Sequence, residues 1–525
     1  MYILIKTMAK LQFKSYNQGQ SVLFPSDMGE NIPDDDPVRL VSRIVDSLNI
    51  DSLLATYAEF GSPAYHPRML LKVVFYAYMN NVYSCRRIER EMLRDIFYMW
   101  LSGDQHPSFS TINRFRSEHV KDQVNGLFVQ VVKYLVAEGV LSLDVQYMDG
   151  TKIESVANKY TFVWKRTVER NKANLEEKIR SVLRQIDDGI AQDNAADTAD
   201  KPVALDSASL KKIVDRINEE NTRLPSATKE EKKARKEREK TAKVLGRMQE
   251  KQAEYEGHLE KLGGRNSYSK TDEDATFMRM KEDAMGNGQL KPGYNLQIGT
   301  SNQFITEYAL YWNPADTTTM PDFLSRYEQD YGQFPEKVTA DSGYGSEENY
   351  EYMEKNGMEA FVKYPLFHKE QHRPFLHDIS RQENLYYNEE QDFYVCPIGQ
   401  RMTNVGTSRR KSDNGYMSHI TYYEAQNCGG CPLRCVCYRK GEGNRVIGVN
   451  HQLRKYKQRA RERLMSGEGL EHRSRRPTEP EAVFGQMKFN KQYKRFRHRG
   501  KDKVSMDFGI FAIAFNIQKY ARKTA

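Results

Sequence analysis

The chain has 525 residues with 80 Lys and Arg against 71 Asp and Glu, a formal net charge of +9, and 39% of its residues are hydrophobic, which excludes an intrinsically disordered chain. Its length suits about three folding units at roughly 100–200 residues each. No apolar run approaches the roughly 20 residues of a membrane span, and the start MYILIKTMAKLQFKSYNQGQ lacks a signal-peptide cleavage site, so a cytoplasmic protein with no membrane partner is expected.

The charge is local. Residues 451–525 hold 20 Lys and Arg against 7 Asp and Glu, a net +13, so the preceding 450 residues sum to −4. Within that segment Lys491, Lys494, Arg495, Arg497 and Arg499 are interleaved with Tyr493 and Phe496. Such a cluster suits a phosphate backbone, because each neutralised phosphate releases condensed counterions. The competing reading is a solvated helix face that keeps the protein soluble.

In chain order, residues 1–36 read as an N-terminal extension and 37–140 as an all-helical domain. Val38, Leu40, Val41, Ile44, Val45 and Leu48 recur at helical spacing, and a second run, Met69 to Ala77, follows His66-Pro67. Ser84 and Ser110 stand where N-caps would, ahead of two short Arg-bearing helices across a Gly-containing loop. That pair resembles a helix-turn-helix and makes Arg114 and Arg116 DNA-binding candidates, although helix pairs of this kind are also common in plain bundles.

The period changes near residue 141. Leu143-Val145-Tyr147 alternates and is expected to end in a turn at Met148-Asp149-Gly150, with a carboxylate at the strand tip. Short strands are expected around Tyr294–Ile298, Ile305–Tyr311, Val338–Ala340 and Ala360–Val362, with helices at about 317–331 and 346–356. That order predicts a mixed α/β core assembled from residues 141–164, 266–365 and 476–525.

Two insertions interrupt it. Residues 165–265 carry heptad-like apolar positions, Leu175, Ile179, Val182 and Ile186, then Leu245, Met248, Gln252, Tyr255, Leu259 and Leu262. A helical hairpin is expected, with DNAADTADKPVALDS and TKEEKKARKEREKT as breaks or frayed helix. Residues 366–475 hold five of the six cysteines. In a reducing cytosol such clustering points to metal before disulfide, and Cys428-x-x-Cys431 with Cys396 and Cys437 forms a candidate structural zinc set. The other reading is reduced cysteines packing a small subdomain.

Three carboxylates stand out by context: Asp149 and Asp341, each expected at a strand end before a flexible turn, and Glu481, opening an amphipathic helix that leads into the basic cluster. Singly, each suits a turn residue or a helix-dipole partner. Together, hard oxygen ligands beside a basic segment suit two Mg²⁺ ions acting on a phosphodiester.

The segments MDGTKIES, TADSGYGSEENY and EAVFGQMKFNKQYKRFRHRGKDKVSMDFGIFAIAFNIQK resemble the three motif regions of bacterial insertion-sequence transposases of the DDE type, and HPRMLLKVVFYAYMNNVYSCRRIEREM…PSFSTINRFR resembles the helical domain that precedes their core. The resemblance spans about 37–521. It implies an RNase H-like mixed sheet flanked by helices, an Asp149, Asp341, Glu481 triad binding two Mg²⁺ or Mn²⁺ ions, and Lys488 on a phosphate at the element end. It further implies cleavage at the ends of the element and strand transfer into target DNA, by a homodimer in a synaptic complex that is nucleoid-associated when bound to DNA. There are departures: Pro477 stands four residues ahead of Glu481 where many relatives have an arginine at fixed spacing, with Arg473, Arg475 and Arg476 only nearby. Glu479 is a rival for Glu481, and Cys435 is additional to the usual cysteine knuckle. Two other functions stay open: an inactive DNA-binding regulator, and an RNase H-like nuclease without strand transfer.

Overall fold

Asp36 starts the first helix by accepting the Val38 amide at 2.8 Å, with Pro37 filling the first helical position, where no amide partner is needed. The computed structural model describes residues 27–58, 63–191, 206–223, 228–280, 286, 288–439 and 441–524. Most of the expected N-terminal extension, and the break at DNAADTADKPVALDS apart from its last two residues, lie outside them.

Helices α1 (Pro37–Ser47), α2 (Pro67–Met79), α3 (Cys85–Met92), α4 (Ile96–Ser102), α5 (Phe109–Arg114) and α6 (Val124–Ala137) form the N-terminal region. Two details differ from expectation. The cap of α5 is Ser108, whose hydroxyl accepts the Thr111 amide, so Ser110 lies inside the helix. A whole helix, α4, also stands between the two Arg-bearing helices.

Strand β1 (Val145–Glu154) does not stop at Gly150. It runs on because a strand more than 130 residues later pairs with all but its first two residues, from Tyr147 opposite Thr300 to Glu154 opposite Gly293. The first insertion follows as α7 (Lys165–Ala191), α8 (Ser207–Arg223) and α9 (Lys229–Leu262). The stretch TKEEKKARKEREKT is the start of α9 and not a break: Thr228 and Glu231 close a reciprocal capping box, and Arg235 pairs with Glu239 one turn on. The heptad-like positions Ile179, Leu245, Gln252 and Leu262 are buried as expected, and the Gln252 amide donates to Glu176 of α7 at 3.3 Å.

Then come β2 (Thr276–Arg279), β3 (Leu290–Ser301), β4 (Phe304–Tyr311), α10 (Met320–Tyr331), β5 (Lys337–Ala340), α11 (Glu347–Lys355) and β6 (Glu359–Val362). The sheet runs β4-β3-β1-β5-β6, with β2 beside the start of β3. β3 and β4 are antiparallel and β1, β5 and β6 parallel. This is the RNase H-like mixed sheet. On one face Met148, Val338 and Ala340 pack with Phe323, Leu324 and Met353 of α10 and α11; on the other, Leu296, Ile298 and Ile305 pack toward the N-terminal helices.

The cysteine-rich insertion is a second sheet, β7 (Tyr386–Asn388), β8 (Phe393–Val395), β9 (Arg401–Lys411), β10 (Met417–Ala425) and β11 (Val446–Val449), antiparallel throughout in sequence order. Helices α12 (His451–Met465), α13 (Gly467–Arg475) and α14 (Pro480–Gly485) return to the core, and α15 (Lys501–Thr524) completes it. α15 is apolar on nearly every side and touches α1, α2, α6 and β4. Gly509 permits the closest approach, since a Cβ there would lie 2.3 Å from the Tyr308 hydroxyl oxygen.

Candidate active site

The strand register sets two carboxylates side by side. In the parallel pair β1–β5, Tyr147 lies opposite Thr339. Two residues on from each, on the same face because strand side chains alternate, are Asp149 and Asp341. Asp149 is buried and accepts the Gly150 amide at 2.8 Å, while Asp341, just past the end of β5, is half-exposed and accepts the Ser342 amide at 2.6 Å.

Glu481 reaches them from the helical layer. Regular α13 geometry ends at Arg475, and Pro477 and Pro480 break the chain into a short tight turn before α14 starts. Residues five apart do not face each other on one straight helix, yet across this break Arg476 Nη1 lies 2.7 Å from Glu481 Oε1. The other terminal nitrogen of Arg476 lies 3.3 Å from Asp149 Oδ2 and 3.7 Å from Asp341 Oδ2. One guanidinium, with its side chain only 7% exposed, therefore gathers the three carboxylates. Arg476 does not stand at the family's spacing; its mark in the sequence is the Arg-Arg-Pro ahead of the acidic pair.

The rival Glu479 points elsewhere. Its buried carboxylate accepts the Gln303 amide at 2.7 Å, and burial pushes its pKa up. For Asp341, burial pushes the same way, but the Ser342 amide, Arg476 and Lys363 more than offset it and hold the carboxyl below the ordinary value. Lys363 is itself lowered, by burial first and then by Arg476. Lys488 follows α14 in a wide π-type turn, a feature common at functional sites, and donates to Thr151 Oγ1 at 2.7 Å. It is buried, and Thr151 is two residues from Asp149 on the same strand face.

The remaining basic residues divide. Lys494, Arg495, Arg497 and Arg499 are exposed around the buried Tyr493 and Phe496. Arg495 donates to the Ser155 carbonyl at 3.0 Å, and Arg497 lies over the Tyr83 ring at 4.2 Å. Arg114 is exposed, and a groove of about 570 Å³ lined by Ser84, Arg86, Asn113, Arg114 and Arg497 joins the N-terminal helices to the basic segment. Lys491 and Arg116 face inward. Lys491 donates to the Met79 carbonyl at 2.6 Å, and burial brings its pKa down to about 8. Arg116 donates to Tyr78 Oη at 2.6 Å and to Cys85 Sγ at 2.9 Å, so neither side chain is turned to solvent.

All six cysteines are free thiols. Cys428 and Cys437 meet Arg445: its amide donates to Cys428 Sγ at 3.3 Å and its guanidinium to Cys437 Sγ at 2.8 Å. Cys396 and Cys428 pack at the edge of the second sheet's core, and Cys435 is exposed. Among the described residues no three Cys, His, Asp or Glu side chains close on one point as metal ligands would. The two clusters differ in what this means. The sulfurs of the candidate zinc set do not converge on one point here; two of them meet Arg445 instead. The carboxylates fit hard divalent cations, because three anionic oxygen donors already surround one cationic group.

Residues 395–521 match the family described as Transposase DDE domain, and residues 26–118 match the Transposase domain DUF772. The first match contains Arg476, Glu481, Lys488 and the cysteines from Cys396 to Cys437; Asp149 and Asp341 lie outside both. No curated protein matches the chain. No described helix is long and apolar enough to cross a membrane.

Proposed function

From the premise that this chain belongs to the insertion-sequence transposases of the DDE type, as both matched segments support, we propose that it cleaves DNA at the ends of its element and joins the freed ends to target DNA. The observation that carries the reading is the meeting of Asp149, Asp341 and Glu481, from three distant parts of the chain, at one cationic point.

In that reading the three carboxylates hold divalent metal, Mg²⁺ or Mn²⁺, whose chemistry is to lower the pKa of an attacking oxygen and neutralise charge on the leaving one. The fixed β1–β5 register keeps Asp149 and Asp341 adjacent, and α14 brings Glu481 to the guanidinium they share. Lys363 is close enough for its charge to act on Asp341, where it would meet a phosphate of the bound strand. Lys488 holds Thr151 and with it the β1 backbone beside Asp149. The 37–140 helices and the exposed Lys494, Arg495, Arg497 and Arg499 would carry the duplex, with Arg114 and Arg497 both lining the groove.

The partners are the element's terminal repeats and target DNA. Two ends must be brought together, which calls for a homodimer in a synaptic complex acting in the cytoplasm at the nucleoid. The cysteine-rich sheet is assigned a structural part.

The test is incubation with Mg²⁺ and a labelled duplex carrying an end of the element. Joined products are expected. Nicks without joining would favour a nuclease, and retarded but intact DNA a binding regulator.

A further inference from the structure

The geometry points to Arg476 as an internal counter-cation that keeps Asp149, Asp341 and Glu481 gathered in the metal-free protein and must leave them before divalent ions are bound. This makes it a positioning residue, and the inference rests on the active-site reading above.

Three observations carry it. Its two terminal nitrogens lie 2.7, 3.3 and 3.7 Å from oxygens of Glu481, Asp149 and Asp341, so the guanidinium stands where cations bound by those carboxylates would have to lie. Its Nε is buried and has no hydrogen-bond partner among the described residues. The inward-facing Arg116 also leaves its Nε unpaired, yet its terminal nitrogens meet a hydroxyl, a carbonyl and a thiol; those of Arg476 meet the three carboxylates. Its backbone forms the joint between α13 and α14, next to Pro477, where the chain leaves regular helix and the side chain can swing without unwinding either helix.

A monovalent guanidinium and divalent ions compete for the same oxygens. If the Arg476-filled state dominates without metal, the apparent dissociation constant for metal is raised by the inverse of the open fraction. Removing the guanidinium should then tighten metal binding while loosening the metal-free protein, because the carboxylates lose their shared partner and repel one another. A residue that merely props the fold would weaken both.

The experiment measures Mn²⁺ binding to the full chain without DNA, by the loss of free Mn²⁺ signal in electron paramagnetic resonance, and thermal unfolding in EDTA. Arg476→Met is expected to bind Mn²⁺ about tenfold or more tightly than wild type, to unfold at lower temperature in EDTA, and to gain more from added Mn²⁺. Mn²⁺ affinity equal to or weaker than wild type would overturn the inference. Should that variant not fold, Arg476→Lys replaces the fork with a single ammonium that cannot bridge three carboxylates; it too should bind Mn²⁺ more tightly, and equal or weaker binding overturns the proposal. Asp149→Asn separates the two levels. Wild-type binding that Asp149→Asn does not reduce sinks the active-site reading and this inference with it, whereas binding lost in Asp149→Asn but unimproved in Arg476→Met sinks the counter-cation alone.

Discussion

Arg476 and Arg445 each sit among side chains suited to metal, and they differ in where their partners come from. Arg476 collects Asp149, Asp341 and Glu481, each more than a hundred residues from the next. Arg445 meets Cys428 and Cys437, nine residues apart in one loop, and donates also to the Ser380 carbonyl at 2.6 Å. Neighbours in sequence are neighbours in space whatever the fold does, so a local cluster says little about purpose. Distant carboxylates that repel one another come together only where the fold holds them, against both loop-closure entropy and charge. The contrast separates a site from a joint.

Experiments on the two arginine clusters can sharpen or break that contrast. The largest effect is expected at the first: Asp149→Asn, Asp341→Asn and Glu481→Gln should each lower metal-dependent cleavage by at least about 10³-fold while DNA retardation persists. Cleavage by any of them at near wild-type rate would remove that residue from the site. At the second, Arg445→Met strips a buried side chain from Cys437 and leaves the Ser380 carbonyl unpaired. Amide exchange of β9 and β10 should show opening made easier by about 2 kcal/mol, and an unchanged protection pattern would deny Arg445 its part as a joint.

A smaller effect is tied to acid. The Asp341 carboxyl lies below its ordinary value of 3.8, so its stabilising contribution is fully present above that pH and is lost as pH falls through the lower folded value. In EDTA, wild type should therefore lose more thermal stability than Asp341→Asn between about pH 4 and pH 3; parallel curves would show that the carboxylate gains nothing from Arg476. The smallest is Cys435→Ser. The thiol is exposed, so exchange protection should shift by less than about 0.5 kcal/mol. A larger shift, or one zinc ion per chain lost on the substitution, would restore a thiolate metal centre and end the contrast.

Much of this was legible in the sequence. Helical and alternating periods located the N-terminal helices and the strands around Tyr294, Ile305, Val338 and Ala360, since each buries a face that shows in the pattern. Asp149 and Asp341 were found through the turns expected after them, although for Asp149 the reason was mistaken: β1 continues past Gly150 because β3 pairs with it, and a partner that far along the chain leaves no local mark. Arg476 stayed hidden because its reach to Glu481 depends on a proline-broken path that spacing alone does not describe. Lys491 and Arg116 read as surface charge, yet both point inward, since a cation can be buried wherever carbonyl, hydroxyl or thiol acceptors await it. The highly charged start of α9 looked like fraying, but its cap and ion pair act locally to sustain a helix.

α15 carries a consequence for how the protein is made. The apolar faces of α2 and α6 are closed by a helix encoded about 360 residues after α6 ends. At a synthesis rate of roughly 5–20 residues per second, those faces leave the ribosome tens of seconds before their cover exists. During that interval the nascent N-terminal helices present an incomplete core, a natural client for holding chaperones. A message cut anywhere ahead of residue 501 would yield a chain in which neither the N-terminal bundle nor the β4 side of the sheet can close.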